Sequence, residues 1–275
     1  MADIIYEDEA VLVVKKPAGT ESQRGRSFSM DLESELKNEL ARRMPGHVPY
    51  LGVVHRLDRP VSGVMVYAKT KEAAAGLSAQ FASGKAKKVY EVLVTAPMTP
   101  TEGTLRDWIE TDPKSNRSII VPKLQAAEQA SAEKNGKSGQ KNGRSGKTAG
   151  KSGAKPGKQE AREAILDYQM IPPAQARAFQ LQETPAGLAI GIAGRMCGSW
   201  MGADIAQVYA LRIRLHTGRH HQIRVQLANA GAPVLGDARY GVRPEGLMMP
   251  NAVALCAAEL TFFHPFTGKQ VTFSV

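Results

Sequence analysis

The sequence is poor in cysteine and has no long hydrophobic run. Cys197 and Cys256 are its only two cysteines, they lie far apart, and neither belongs to a Cys-x-x-Cys pair. A disulfide framework and a cysteine-based zinc site are therefore excluded, and a reducing compartment such as the cytoplasm is expected. No apolar stretch approaches the roughly 20 residues of a membrane span. The acidic start of the chain also lacks the apolar core of a signal peptide, so we expect no membrane partner.

The sequence also has fewer acidic than basic residues. The 275 residues include 36 Lys and Arg against 26 Asp and Glu, a net charge of +10. This balance favours a polyanionic partner, either nucleic acid or an anionic membrane surface. Half of the charge belongs to residues 125–160, which hold eight basic and three acidic residues. Because this segment has no aromatic or β-branched aliphatic residue, we predict a disordered insert. It separates two parts of one expected domain, residues 1–124 and 161–275.

Two apparent ligand motifs lack essential members. Three Gly-Lys-Ser or Gly-Lys-Thr triplets in the insert resemble the end of a phosphate-binding loop, but none has the glycine required five residues earlier. An ATPase is therefore excluded. His216, His220 and His221 have no cysteine nearby, and Asp237 is the nearest downstream carboxylate. We therefore predict no metal site.

The hydrophobic pattern predicts more strands than helices. Short apolar or alternating runs predict strands at 10–14, 63–69, 88–94 and 211–216. Thr70 is a typical N-cap for a helix ending at Ser83, with Gly84 just beyond it. A second helix is predicted from about His220 to Ala230. Because the strands do not alternate with long helices, we predict an α+β fold: a single domain on a mixed, mostly antiparallel sheet flanked by helices.

Asp58 and Arg224 are the most informative charged residues. Asp58 lies in a predicted turn between Arg56 and Arg59, which admits two interpretations. It is either a solvated turn aspartate or an ionised carboxylate in a basic cleft that faces nucleic acid. Arg224 follows an apolar residue and precedes another, so it either extends to solvent or is buried with a carboxylate partner.

These residues belong to motifs that resemble those of the RluA-type RNA pseudouridine synthases. The resemblance covers almost the whole chain outside the insert, and six motifs occur in the family's order. They are Lys16-Pro17, His55-Arg56-Leu57-Asp58-Arg59-x-x-Ser62-Gly63, Lys88-x-Tyr90, Thr217-Gly218-Arg219-x-His221-Gln222-Ile223-Arg224-Val225, Gly236-Asp237-x-x-Tyr240-Gly241 and His264-Pro265-x-Thr267-Gly268. One departure is Pro60-Val61, where the family commonly has Thr before the Ser-Gly pair.

The resemblance implies a fold of the pseudouridine synthase type and a role for each motif. Asp58 is expected to be the catalytic carboxylate, acting as nucleophile at C1′ or as base at the 2′ carbon of a uridine. Tyr90 is expected to stack on the flipped base and to assist proton removal at C5, and Arg224 to pair with Asp58. The expected RNA-binding residues are His55, Arg56, Arg59, Lys88, Arg219 and His221. No cofactor or metal is expected. The implied partner is rRNA or tRNA, and the protein is expected to be a monomer.

Two other functions compete with this interpretation. A non-catalytic RNA-binding or ribosome-assembly protein accounts for the positive charge and the lysine-rich insert, but it gives no joint role to Asp58, Tyr90 and Arg224. A hydrolytic nucleosidase accounts for one carboxylate, but its usual second carboxylate or metal is not evident.

Overall fold

Strands dominate the architecture, as the sequence predicts. The computed structural model describes residues 3–24, 31–46, 48–123 and 160–275. The predicted insert 125–160 lies outside the described residues except for Glu160. The strands are β1 (Asp3–Glu7), β2 (Val11–Lys16), β3 (Gly52–Val53), β4 (Ser62–Ala68), β5 (Lys87–Val94), β6 (Glu102–Asp112), β7 (Arg117–Val121), β8 (Arg162–Ile171), β9 (Phe179–Thr184), β10 (Gly187–Ile192), β11 (Arg195–Met201), β12 (Tyr209–Leu215), β13 (Leu247–Met248), β14 (Leu255–Phe263) and β15 (Gln270–Ser274).

These strands form two sheets. The large sheet has eleven strands with the central order β1-β2-β4-β14-β5-β12-β8-β6-β7, to which β3 and β15 are added beside β4 and β14. Within the described residues, β4 and β14 are its one parallel pair, and all its other pairs are antiparallel. The small sheet has the order β13-β11-β10-β9. The prediction of a mixed, mostly antiparallel sheet is therefore confirmed.

Helices cover both faces of the large sheet. They are α1 (Leu32–Arg43), α2 (Lys71–Ser83) and α3 (Gln222–Asn229). Leu36 of α1 and Ile223 of α3 share one hydrophobic cluster with Tyr90 and Ile213 of the sheet. On the opposite face, Leu77 of α2 packs against β2 and β4, and the small sheet packs against β5, β12 and β14. No helix in the described ranges is long and apolar enough to cross a membrane.

The helix predicted after Thr70 is confirmed at both ends. Thr70 Oγ1 accepts a hydrogen bond from the Ala73 N–H at 3.1 Å, and Gly84 adopts the left-handed conformation that ends many helices. The other predicted helix begins later than expected. It starts at Gln222 rather than His220, because His221 has a φ of 51° and therefore cannot join the helix.

Candidate active site around Asp58

Asp58 lies in the loop between β3 and β4, where hydrogen bonds fix the backbone. The Val61 N–H donates to the Asp58 carbonyl at 3.0 Å and closes a tight turn. Ser22 holds the neighbouring Leu57: its Oγ donates to the Leu57 carbonyl at 2.8 Å and accepts from the Leu57 N–H at 3.1 Å. The Asp58 side chain is 28% exposed. The loop therefore presents a carboxylate that is fixed in place and still open to a ligand.

Lys16 and Gly63 support this loop from within the sheet. Lys16 is fully buried, and its Nζ donates to three backbone carbonyls, of which that of Arg59 belongs to the Asp58 loop. Burial lowers the pKa of Lys16 to about 7, although Asp58 opposes the shift. Gly63 has a φ of 124°, and a Cβ there would lie 2.3 Å from the Ala257 carbonyl oxygen. Only glycine therefore allows β4 to approach β14 directly after the loop.

Arg224 joins Asp58 to a second carboxylate. Its side chain is 6% exposed, so the interpretation that it extends to solvent is wrong. Nη1 donates to Asp58 Oδ2 at 3.2 Å, while Nε and Nη2 donate to the two oxygens of Asp237 at 2.7 and 2.8 Å. Burial alone lowers the pKa of Arg224, but the contacts with Asp237 and Asp58 outweigh it and raise the pKa. The guanidinium is therefore a permanent cation beside Asp58, and Asp237 is its closer partner.

His221 contacts the same oxygen of Asp58. Its Nε2 lies 3.5 Å from Asp58 Oδ2, and its Nδ1 lies 2.7 Å from the Tyr240 hydroxyl. Burial lowers the pKa of His221 to about 4, although Asp58 opposes the shift, so the ring is neutral at physiological pH. The side chain is only 9% exposed. A neutral, covered imidazole is poorly suited to a phosphate contact, and its geometry directs it to Asp58 instead.

Tyr90 lies on β5 on the face of the sheet that carries α3. It is 7% exposed and shares its hydrophobic cluster with Leu57, the residue before Asp58. Burial and the charge of Asp58 raise the pKa of Tyr90 above its ordinary value. The phenol is therefore protonated at neutral pH. This state suits a ring that packs against a base, but not a phenolate that removes a proton from C5.

The contacts of His55 are structural. Its Nε2 accepts a hydrogen bond from the Val66 N–H at 3.0 Å, and its ring stacks on Phe81 with 4.5 Å between the centroids. Burial lowers the pKa of His55 to about 3, with a smaller contribution from Lys88. The imidazole is therefore neutral, with its acceptor nitrogen already paired. These contacts do not support its expected role in RNA binding.

The other expected RNA-binding residues remain available. Arg56 and Arg59 are exposed, and Lys88 and Arg219 are partly exposed. Arg219 lines a polar depression of about 400 Å³ together with Arg162 and His220. The neighbouring Arg212 and Arg214 lie on the opposite face from Tyr90, because their strand alternates and Tyr90 is paired with Ile213. The accessible positive charges on the site's side are therefore those of the Asp58 loop, of Lys88 and of the segment before α3.

Sequence reasoning missed Asp237 and Tyr240 as site residues. Both belong to the quoted Gly236-Asp237-x-x-Tyr240-Gly241 motif, yet no role is predicted for them. Asp237 is buried and holds Arg224, and the Tyr240 ring lies 5.2 Å below the Arg224 guanidinium carbon. The available signal was Arg224 itself, because a buried guanidinium requires a carboxylate.

A carboxylate held by a buried arginine, with exposed arginines on the same loop, is suited to an enzyme that acts on a polyanion. The sequence comparison identifies which kind of enzyme. The chain belongs to the RNA pseudouridylate synthase family, whose sequence model matches residues 10–229. The match includes Asp58, Tyr90 and Arg224. Members of this family are isomerases that modify RNA.

Individual relatives support the same conclusion. The chain is 29% identical to the dual-specificity RNA pseudouridine synthase RluA of Salmonella typhimurium, over 99% of this chain and 91% of that one. It is also 29% identical to the ribosomal large subunit pseudouridine synthase D of Zymomonas mobilis, over 98% of this chain and 68% of that one. The solved structure of human RNA pseudouridylate synthase domain containing 1 has a TM-score of 0.58 with 19% identity, over 100% and 83% of the two chains. That likeness supports the fold.

Proposed function

We propose that this protein converts uridines in structured rRNA or tRNA to pseudouridines, with Asp58 as the catalytic carboxylate. The reaction breaks the C1′–N1 bond, turns the uracil and joins C1′ to C5. It requires an ionised carboxylate beside the ribose, which acts as nucleophile at C1′ or as base at the 2′ carbon. The observation that carries the proposal is the fixed contact between Arg224 and Asp58 Oδ2.

The contacts of Asp58 leave one oxygen for the substrate. Arg224 and His221 both face Oδ2, and among the described residues none forms a hydrogen bond with Oδ1. The guanidinium stabilises the ionised carboxylate as solvent is displaced by RNA. Oδ1 is therefore the oxygen that we assign to the reacting ribose.

The accessible basic residues supply the RNA contacts in this proposal. A uridine must leave its stack to reach Asp58, at a cost of a few kcal/mol. Contacts from Arg56, Arg59, Lys88 and Arg219 to phosphates offset this cost, and Tyr90 supplies a neutral ring face for the flipped uracil. Arg56 and Arg59 belong to the same loop as Asp58, and Arg219 lies on the segment before α3.

The names of the relatives and the cysteine content extend the proposal to substrate and compartment. One relative is named for the large ribosomal subunit and another for dual specificity, which supports rRNA as a substrate and leaves tRNA as a second one. Cys197 and Cys256 are both free thiols, which supports a reducing cytoplasm as the compartment.

Isotope release tests this function directly. The wild-type protein is expected to release tritium from 5-tritiated uridine in total RNA taken from a strain that lacks its gene, because C5 loses its hydrogen when it joins C1′. Pseudouridine mapping in the strain with and without the gene identifies the position. A full set of pseudouridines in the deletion strain, with no tritium release in vitro, would overturn the proposal and favour a non-catalytic RNA-binding protein.

The predicted insert provides a second experiment. It connects β7, which ends at Val121, to β8, which begins at Arg162 beside the depression that contains Arg219. If its eight basic residues contact phosphates, deletion of 125–160 weakens RNA binding and flattens the salt dependence by about 0.7 log units per lost contact with single-stranded RNA. The modified position is expected to stay the same.

A length-matched control separates charge from spacing in this experiment. Replacing the eight basic residues of the insert with glutamine keeps the chain length and removes the positive charge. The same loss of affinity is expected in both variants. Unchanged affinity at low salt in either variant would instead identify the insert as an inert spacer.

A further inference from the structure

The proposed mechanism leaves His221 without a role, although its position is unusual. Its backbone is left-handed, with a φ of 51° and a ψ of 24°, a conformation that costs free energy in most residues and is concentrated at functional sites. Its covered ring lies between Tyr240 and Asp58. The fold therefore maintains a strained residue in contact with the carboxylate.

A chain of hydrogen bonds favours one of the two neutral tautomers of His221. The Ser118 backbone N–H donates to the Tyr240 hydroxyl oxygen at 2.8 Å. The Tyr240 O–H is thus directed to the other contact of that oxygen, His221 Nδ1 at 2.7 Å. Nδ1 is then an acceptor, so the proton of the neutral ring resides on Nε2. Nε2 is the nitrogen that faces Asp58.

We propose that His221 is a positioning residue for Asp58, held by Tyr240 as the Nε2–H tautomer. His221 Nε2 at 3.5 Å and Arg224 Nη1 at 3.2 Å both contact Asp58 Oδ2, which restrains that oxygen and leaves Oδ1 for the substrate. This inference rests on the proposed role of Asp58. It replaces the expected contact of His221 with RNA by a contact with the catalytic group.

Several other charged or titratable groups face this pair, and any pH experiment must take them into account. Around His221 and Asp58 lie His220 before α3, Arg224 within it, Arg239 and Asp237 after it, Arg56 in the loop, Lys16 on β2 and Tyr90 on β5. Burial lowers the pKa of His220 as well as that of His221, which opposes protonation of both imidazoles.

Tyr240→Phe tests the inference with little structural change. It keeps the ring beneath Arg224 and removes only the hydroxyl that sets the tautomer. Because one donor to an ionised group is weakened, single-turnover tritium release at mildly acidic pH is expected to fall about tenfold. On the acidic side of the pH–rate profile (the acidic limb), the pH at which half of the rate is lost is expected to rise by about half to one unit. RNA affinity is expected to stay the same, because neither side chain is placed to contact phosphate.

Two further variants identify the cause of any change. His221→Asn tolerates the left-handed backbone but is too short to span Tyr240 and Asp58, and it is expected to shift the limb as Tyr240→Phe does. Ser118→Ala is the matched control. It removes the hydroxyl that contacts His220, the neighbour of His221. It retains the backbone N–H that donates to Tyr240, so the acidic limb of this variant is expected to match that of the wild type.

Nitrogen-15 spectra of histidine-labelled protein provide a readout that is independent of activity. The wild type is expected to show His221 as the Nε2–H tautomer, and Tyr240→Phe a mixture of both tautomers. An Nδ1–H tautomer in the wild type, or an equal loss of rate at every pH in Tyr240→Phe, would overturn the inference. Absence of tritium release from the wild type would instead contradict the proposed function, and the spectra would still decide the tautomer.

Discussion

Replacing Asp58 with asparagine is expected to reduce tritium release from 5-tritiated uridine by about 10³-fold or more, to the limit of detection. The substitution keeps the shape of the side chain and an oxygen for Arg224, but it removes the negative charge that a nucleophile or a base requires. The buried Arg224 retains both of its bonds to Asp237. Asp58→Asn is therefore expected to fold and to unfold at nearly the wild-type temperature.

The RNA affinity of Asp58→Asn distinguishes a catalytic from a binding role. Because the lost charge is negative, the dissociation constant for RNA is expected to stay the same or decrease slightly, as measured by fluorescence anisotropy. Asp3→Asn makes the same change of charge at an exposed carboxylate on β1 and is expected to retain full activity. Undiminished tritium release by Asp58→Asn would show that Asp58 is not the catalytic carboxylate.

Local sequence signals predicted the fold where a few adjacent residues determine the structure. The cap at Thr70 and the stop at Gly84 set α2, and alternation set β12, because these signals act within a few residues. Helix α1 was not predicted, although Leu32, Leu36 and Leu40 recur every four residues and are all buried. The small sheet was also not predicted. Its β11 is mostly exposed and lacks alternation, so pairing with distant strands determines it.

Within the site, the sequence predicts the residues that single motifs contain, but not the contacts that form between motifs when the chain folds. The two motifs that contain Asp58 and Arg224 indicated a carboxylate and its cation, and the structure brings them into contact. The tautomer of His221 and the pairing of Arg224 with Asp237 depend on how the chain folds back after α3. The left-handed backbone of His221 has no local sequence signal. Only roughly a few per cent of non-glycine residues adopt this conformation, and histidine is merely enriched among them. The family resemblance therefore assigns His221 to RNA binding, and only the folded chain places it beside Asp58.

Asp237 is expected to be the most important residue for stability in this site. It is 3% exposed, its two oxygens accept from Nε and Nη2 of Arg224, and Oδ1 also accepts from the Arg239 N–H at 3.0 Å. Asp237→Ala leaves a buried guanidinium with only the longer bond to Asp58. Breaking a buried ion pair from one side is expected to lower the free energy of unfolding by about 3–5 kcal/mol, a large part of the total for most domains.

A paired substitution separates the two consequences of losing Asp237. In the double variant Arg224→Met with Asp237→Leu, both charges are replaced by apolar groups of similar size, and stability in urea is expected to recover most of the loss. Activity is not expected to recover, because Asp58 then lacks the cation that holds Oδ2. Recovery of tritium release together with stability would show that Arg224 serves the fold alone. Stable but inactive protein would show that Arg224, anchored by Asp237, holds Asp58 for the reaction.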